Sequence, residues 1–129
     1  KDELYWLAPG ERPVPEAMRE LIAQYGLLGL GITDGPGQAY WGDADRNIHT
    51  FTLSKLERVV SPLGCGDTVS GVMIGEYTAG RSGVEAFGAG LAAAQANCLN
   101  ILCGSYRQED AERFRRELRC RKLEGNNGL

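Results

Sequence analysis

Several features are scarce or missing in this sequence, and each absence removes a class of function. There is one histidine, His49, and the four cysteines Cys65, Cys98, Cys103 and Cys120 show no Cys-x-x-Cys spacing. Zinc sites need clustered Cys and His donors, so zinc is not expected, and no disulfide framework is suggested either. That cysteine usage fits a reducing, cytoplasmic compartment. No apolar run approaches ~18 residues, so no segment reads as a membrane-spanning helix. The net charge is -3, and the basic residues form no stripe of the kind that binds nucleic acid. A Gly-x-x-x-x-Gly-Lys-Ser/Thr loop is also missing, which excludes the P-loop class of nucleotide enzymes. With no second histidine and no serine elbow, His49 reads as a half-exposed strand residue rather than a catalyst.

What is present suits one soluble α/β domain. The 129 residues are 43% hydrophobic and 24% charged, enough apolar material for a single core. Pro13 and Pro15 open a helix in which Met18, Leu21, Ile22 and Tyr25 recur at helical spacing, and Gly26 suits its C-terminal turn. Residues 27–33 form an apolar run broken only by glycine, read as a strand buried on both faces. Helix followed by buried strand predicts half of a parallel crossover unit. Residues 38–42 and 48–53 predict a short antiparallel hairpin around 42–46, with Tyr40, Trp41, Ile48 and Phe51 pairing across it. Asp43 and Asp45 sit at its tip, without the further ligands a calcium loop requires.

A strand over 56–60 then leads into Ser61-Pro62-Leu63-Gly64-Cys65-Gly66-Asp67-Thr68, and a helix follows over 66–79. Ser82 is a suitable N-cap for a second helix, with Glu85 three residues on. Its apolar positions Val84, Phe87, Leu91, Ala94 and Cys98 make one buried stripe, and its many Ala and Gly residues permit close packing. A last helix over 108–118 turns Ala111, Phe114 and Leu118 inward. The cluster Arg113, Arg115, Arg116, Arg119, Arg121 and Lys122, interleaved with Glu112, Glu117 and Glu124, reads as a solvated helix face. Residues 125–129 read as a loose tail. The spacing Gly29-x-Gly31-x-x-x-Gly35 is wrong for a dinucleotide fingerprint, and those glycines lie inside a strand rather than after it.

The chemistry concentrates at residues 61–71. Gly64 and Gly66 permit a tight turn, and the helix that follows presents unpaired N–H groups and partial positive charge. Such a site favours an anion, yet Asp67 would repel a static phosphate. The conflict resolves if the phosphoryl group is in transit and Asp67 accepts the proton of the attacking hydroxyl. Plain helix capping by Asp67 is the competing structural reading.

Gly64-Cys65-Gly66-Asp67-Thr68, followed by the small-residue helix Val69-Ser70-Gly71-Val72, resembles the Gly-Ala-Gly-Asp turn of the ribokinase-like (PfkB) carbohydrate kinases. Cys65 stands where Ala or Ser is usual. Ser61 lacks the carboxylate many members carry there, so a monovalent-cation site does not carry over. The resemblance spans nearly the whole chain in the order of the C-terminal part of a kinase about twice this length. It implies an α/β fold, a parallel sheet flanked by helices with a short antiparallel hairpin. Asp67 is implied as catalytic base, with the amides of Gly64, Cys65 and Gly66 stabilising the transferring group. Ile32-Thr33-Asp34-Gly35 resembles a strand end near the ATP phosphates, implying nucleotide contacts from Thr33 and Gly35. Asn97 and Gly104 are implied near the adenine. Lys1-Asp2-Glu3 resembles the end of an Asn-x-x-Glu motif, with its Asn expected just before residue 1 and Glu3 organising Mg2+.

The implied substrates are ATP and a sugar or sugar phosphate, with features closest to the fructokinase, 1-phosphofructokinase and tagatose-6-phosphate kinase group. The resemblance also implies a missing N-terminal half carrying most of the sugar pocket, so that the fragment alone is inactive, and it admits a homodimer. Two other classes compete. One is a non-catalytic nucleotide-binding or regulatory module derived from such a kinase. The other is a structural α/β module that uses the glycine turn only for packing.

Overall fold

The helix over Val14–Tyr25, labelled α2 below, shows how the sequence sets the first part of the fold. Pro13 supplies a fixed φ at its N-cap, and Gly26 closes it in the left-handed conformation at φ +60°, its N–H donating to the Ile22 carbonyl. Val14, Ala17, Met18, Leu21 and Ile22 are buried on one side, as the 3.6-residue period dictates. Tyr25, expected on that stripe, instead lies 59% exposed where the helix ends. The computed structural model describes residues 1–125. In chain order its elements are α1 (Asp2–Leu7), α2 (Val14–Tyr25), β1 (Gly29–Asp34), β2 (Gln38–Asp43), β3 (Ile48–Thr52), α3 (Cys65–Thr78), α4 (Gly83–Asn97), α5 (Gln108–Glu117) and β4 (Arg119–Lys122).

They form two compact units, one of Lys1–Phe51 with residues 120–125, the other of Thr52–Arg119. The first is built on a sheet of order β1-β2-β3-β4. Its core joins Leu4 and Ala8 to the buried face of α2 and to Ile48, with Leu30, Ile32 and Tyr40 packed alongside. The mixed helix and strand class matches expectation, but the strand direction does not follow the predicted parallel crossover. β1 pairs antiparallel with β2, Gly29 opposite Asp43 and Asp34 opposite Gln38. Only the turn around Gly35 separates them, whereas a parallel partner needs a crossover of about a dozen residues or more. β1 is consequently half-buried and exposed by turns instead of covered on both faces.

The tip between β2 and β3 is a polar turn, as expected. The Asp43 carboxylate accepts from the Asp45 N–H (2.9 Å), the Asn47 N–H (3.0 Å) and Asn47 Nδ2 (3.1 Å). Partial burial raises this carboxyl's pKa, but those hydrogen bonds outweigh it and leave it below its ordinary value. β4 was not anticipated. Arg119–Lys122 form an exposed strand, not the last turns of a helix, because the chain becomes extended at Leu118 (φ -65°, ψ 129°). These residues are solvated nonetheless.

In the second unit α4 is the central element. Ser82 caps it, accepting from the Glu85 N–H at 3.3 Å, and nearly every residue from Ala86 to Asn97 is buried. Ala92 and Ala96 pack on Ala111 and Phe114 of α5, with Leu56, Leu99 and Tyr106 around them. Against α3 the approach is closer still. A Cβ on Gly90 would sit 2.6 Å from the Val69 carbonyl oxygen and 3.2 Å from its Cα, so only hydrogen fits between these backbones. The strand predicted over 56–60 is irregular chain. Its charged residues Glu57 and Arg58 interrupt the apolar run, and the Val60 and Ser61 N–H groups donate to the Cys98 carbonyl (2.8 and 3.2 Å) rather than to a ladder. The expected tail falls partly on residues 126–129, outside the described residues.

The Gly90 contact carries a stability prediction. Gly90→Ala should destabilise the chain by about 1–3 kcal/mol through overpacking against main chain. Gly75→Ala, in open space on α3, should stabilise by up to about 1 kcal/mol through helix propensity. Urea unfolding of the two variants checks the opposite signs.

Candidate functional site

The predicted glycine turn lies in the second unit and takes the expected shape. Ser61 Oγ accepts from the Leu63 N–H (3.2 Å), and the Cys65 N–H donates to the Pro62 carbonyl (3.3 Å). Gly64 then adopts φ +80° as the N-cap of α3. A side chain there would be strained by that angle and would also meet Cys103 Sγ at 2.9 Å. Thr68 closes the first turn of the helix from two sides, its N–H donating to the Gly64 carbonyl at 2.9 Å and its Oγ1 at 2.8 Å.

No side chain caps α3. Among the described residues, the N–H groups of Gly64, Gly66 and Asp67 have no protein acceptor. This corrects the expected set Gly64, Cys65 and Gly66, since the Cys65 amide is engaged by Pro62 and Asp67 supplies its own. The side of Gly66 where a Cβ would project is open. The Asp67 side chain is exposed in the first turn of α3, with neither a hydrogen bond nor an ion pair to another described residue. An open hollow of about 620 Å³ adjoins it, walled by Asp67, Thr68 and Gly71 on one side and by Cys103, Gly104 and Tyr106 on the other. Donors, a carboxylate and a concave surface thus meet at the start of one 14-residue helix, where the bared amides suit an anion and the carboxylate opposes one.

Beneath the turn lies Asn97, the last residue of α4 and only 1% exposed. Its Nδ2 donates to the Leu63 carbonyl at 3.0 Å, and its Oδ1 accepts from the Gly104 N–H at 2.7 Å. One amide therefore ties the chain entering α3 to the loop after α4. Asn97 and Gly104, expected near the adenine, are brought together here by a direct bond. The Asn97 amide and the Gly104 N–H are engaged with each other and with Leu63, so these groups shape the wall of the hollow. Sequence reading missed this clamp because an Asn at a helix end is equally suited to water.

A second pairing is also new. Cys65 Sγ lies 2.9 Å from Cys98 Sγ, while Cys65 Sγ donates weakly to the Ala94 carbonyl at 3.5 Å. Burial, and then the neighbouring Cys65, push the Cys98 thiol from 9.0 up to about 12. The only signal in the sequence was the position of Cys98 on the buried stripe of α4.

The remaining expected contacts belong to the first unit. Thr33 is exposed near the end of β1, its carbonyl accepting from the Lys1 amino group at 2.8 Å, and Lys1 Nζ lies 3.1 Å from the Asp34 carboxylate. Gly35 follows at φ +69°. Glu3 lies in the first turn of α1, its side chain 79% exposed. No group of three or more His, Cys, Asp and Glu residues gathers among the described residues.

Two measurements follow from this geometry. Asn97→Ala should cost about 1–3 kcal/mol for each backbone group it leaves unsatisfied, read by urea unfolding; a loss no larger than that of an exposed substitution would contradict the clamp. The raised Cys98 pKa means that the folded chain keeps a proton the unfolded chain releases. Stability should therefore fall as pH rises from about 9 towards 12. The difference between wild type and Cys98→Ala isolates this contribution from the titrating lysines and tyrosines.

No family model matches the sequence, and no curated protein matches it. Solved structures do. A candidate phosphofructokinase from Staphylococcus aureus superposes with a TM-score of 0.80 at 18% identity, covering 97% of this chain and 40% of that one. Phosphofructokinase-2 from Escherichia coli, in a complex with potassium, gives 0.79 at 23% identity over 91% of this chain and 38% of that one. A candidate ribokinase from Agrobacterium tumefaciens gives 0.74 at 25% identity, with coverage of 88% and 38%. The chain thus spans about two-fifths of the length of the solved structures it matches. No helix among the described residues is long and apolar enough to cross a membrane. Over that two-fifths, the chain has the ribokinase-like fold of the PfkB carbohydrate kinases.

Proposed function

We propose that this chain is the C-terminal, nucleotide-binding and catalytic portion of an ATP-dependent phosphotransferase acting on a hydroxyl of a sugar or sugar phosphate. The observation that carries the reading is the start of α3. There the unengaged amides of Gly64, Gly66 and Asp67 stand beside an unpaired, exposed carboxylate. A resting phosphate site would gain from the amides and lose from the carboxylate. A transfer site uses both.

In this reading Asp67 takes the proton from the acceptor hydroxyl as it attacks the γ-phosphorus of ATP, and the bond from that phosphorus to the β–γ bridging oxygen breaks to release ADP. Negative charge on the transferring oxygens is met by fixed backbone donors, which need no reorganisation during the reaction. Thr68 keeps those donors aimed by holding the Gly64 carbonyl twice. The hollow bordered by Cys103, Gly104 and Tyr106 receives the nucleoside part of ATP. Thr33 and Gly35 are assigned to nucleotide binding, and Glu3 to organising magnesium, on the family resemblance alone; magnesium bound to ATP would supply charge neutralisation. The phosphofructokinase names among the structural neighbours favour a sugar phosphate over a free sugar. The reading also includes a cytoplasmic location and a sugar-binding N-terminal half, and it admits a homodimer.

In the enzyme that carries this segment, Asp67→Asn should lower kcat by about 10²–10⁴-fold while ATP affinity, read by thermal shift, changes little. Near-full turnover in that variant would remove Asp67 from the role of base. ATP binding in the parent protein without any sugar-dependent turnover would favour the non-catalytic nucleotide-binding module instead.

A further inference from the structure

The thiols of Cys65 and Cys98 serve no purpose in phosphoryl transfer as described, yet they lie against each other beneath the residues assigned to it. Cys65 is the first residue of α3, directly before Gly66 and two before Asp67; Cys98 is the C-cap of α4. Their sulfurs are 2.9 Å apart, each side chain half-buried, and neither is in a disulfide. A disulfide needs about 2.05 Å between sulfurs, so a small movement of the two side chains closes the gap. The elements that hold them are well determined by their own bonds. The Cys98 N–H donates to the Ala94 and Gln95 carbonyls, its carbonyl accepts from Val60 and Ser61, and Asn97 Nδ2 stands 3.6 Å from Cys65 Sγ. The two thiols are therefore presented to each other by the fold and not by a chance meeting of loops.

We propose that Cys65 and Cys98 are a redox-sensitive dithiol whose reversible disulfide controls the anion-binding turn at the start of α3. The oxidant is a peroxide or a low-molecular-weight disulfide. With hydrogen peroxide, the Cys65 sulfur attacks one peroxide oxygen, the O–O bond breaks, and the other oxygen leaves as water after taking a proton. Cys65 is then a sulfenic acid, oxidised by two electrons. The Cys98 sulfur attacks the Cys65 sulfur, gives up its proton, and the sulfenic oxygen departs as a second water. Cys65 takes the first role because the Cys98 thiol is held protonated by burial and by its neighbour, which disfavours it as the first nucleophile; Cys98 must give up that proton as it attacks. A thiol such as reduced glutathione reverses the bond by exchange.

The bond would draw the two sulfurs from 2.9 Å to about 2.05 Å, and the part of that movement the side chains do not absorb passes to the backbone of 64–66. Amides displaced by a fraction of an ångström no longer meet the oxygens they are placed to receive. Oxidation should therefore weaken ATP binding without unfolding the chain. This control function rests on the phosphotransferase reading above; formation of the disulfide does not.

The test treats the chain, reduced and then exposed to hydrogen peroxide or oxidised glutathione, by peptide mapping and by ATP-dependent thermal shift. The expected result is one intramolecular Cys65–Cys98 link, two hydrogens lighter, absent in Cys65→Ser and Cys98→Ser and removed by dithiothreitol. With it, the ATP-induced shift should shrink in the oxidised wild type, return on reduction, and be insensitive to oxidant in Cys98→Ser. Links mapping mainly to Cys103 or Cys120, or no link under conditions that oxidise those exposed thiols, would overturn the dithiol. A Cys65–Cys98 link that leaves the ATP shift unchanged would overturn the control of the turn. No ATP shift in the fully reduced protein, with the link still forming, would instead count against the nucleotide site and leave the dithiol standing.

Discussion

One buried amide organises the second unit. Asn97 is 1% exposed, so both ends of its side chain must find partners or lose the free energy of desolvation. It finds them in main-chain groups of two different segments, the carbonyl of Leu63 before α3 and the N–H of Gly104 after α4. That pairing brings Cys103 against Gly64 so closely that only glycine fits, and Gly64 turns the chain through a left-handed angle into α3. The helix then begins with no side chain over its first amides. An unusual local conformation and an uncapped helix start each carry a free-energy cost, and here both are maintained by interactions made elsewhere in the unit.

The small residues of α4 complete this arrangement. Ala92, Ala96 and Gly90 let α4 lie close to α5 on one side and to the main chain of Val69 on the other. A bulkier α4 would hold α3 further away and pull Cys65 out of reach of Cys98. The same closeness that fixes the glycine turn thus creates the thiol pair beneath it. Chemistry and its proposed redox control share one packing constraint.

Much of this was legible in the residues. Pro13 and Gly26 marked α2, Ser82 and Glu85 marked the start of α4, and Ala111, Phe114 and Leu118 marked the inner face of α5, because capping and periodicity are local properties. The glycine turn was legible because Gly64 and Gly66 permit a tight bend just before a helical segment. Strand direction was not legible: an apolar run such as 27–33 looks the same in either kind of sheet, and only the short turn at Gly35 decides. The run 56–60 looked like a strand until its bonds to the Cys98 carbonyl were seen. Neither the Asn97 clamp nor the Cys65–Cys98 pair could be read, since each joins positions more than 30 residues apart that no local pattern links.

The central claim is that the amides at the start of α3 receive phosphate oxygens. The most direct measurement is a titration of the reduced, isotopically labelled chain with magnesium ATP, following each backbone amide by NMR. The account predicts that the Gly64, Gly66 and Asp67 amides move first and furthest, saturating together, while the Cys65 amide, already bonded to Pro62, moves less. Saturable changes centred on other residues, with those three amides unmoved, would contradict it.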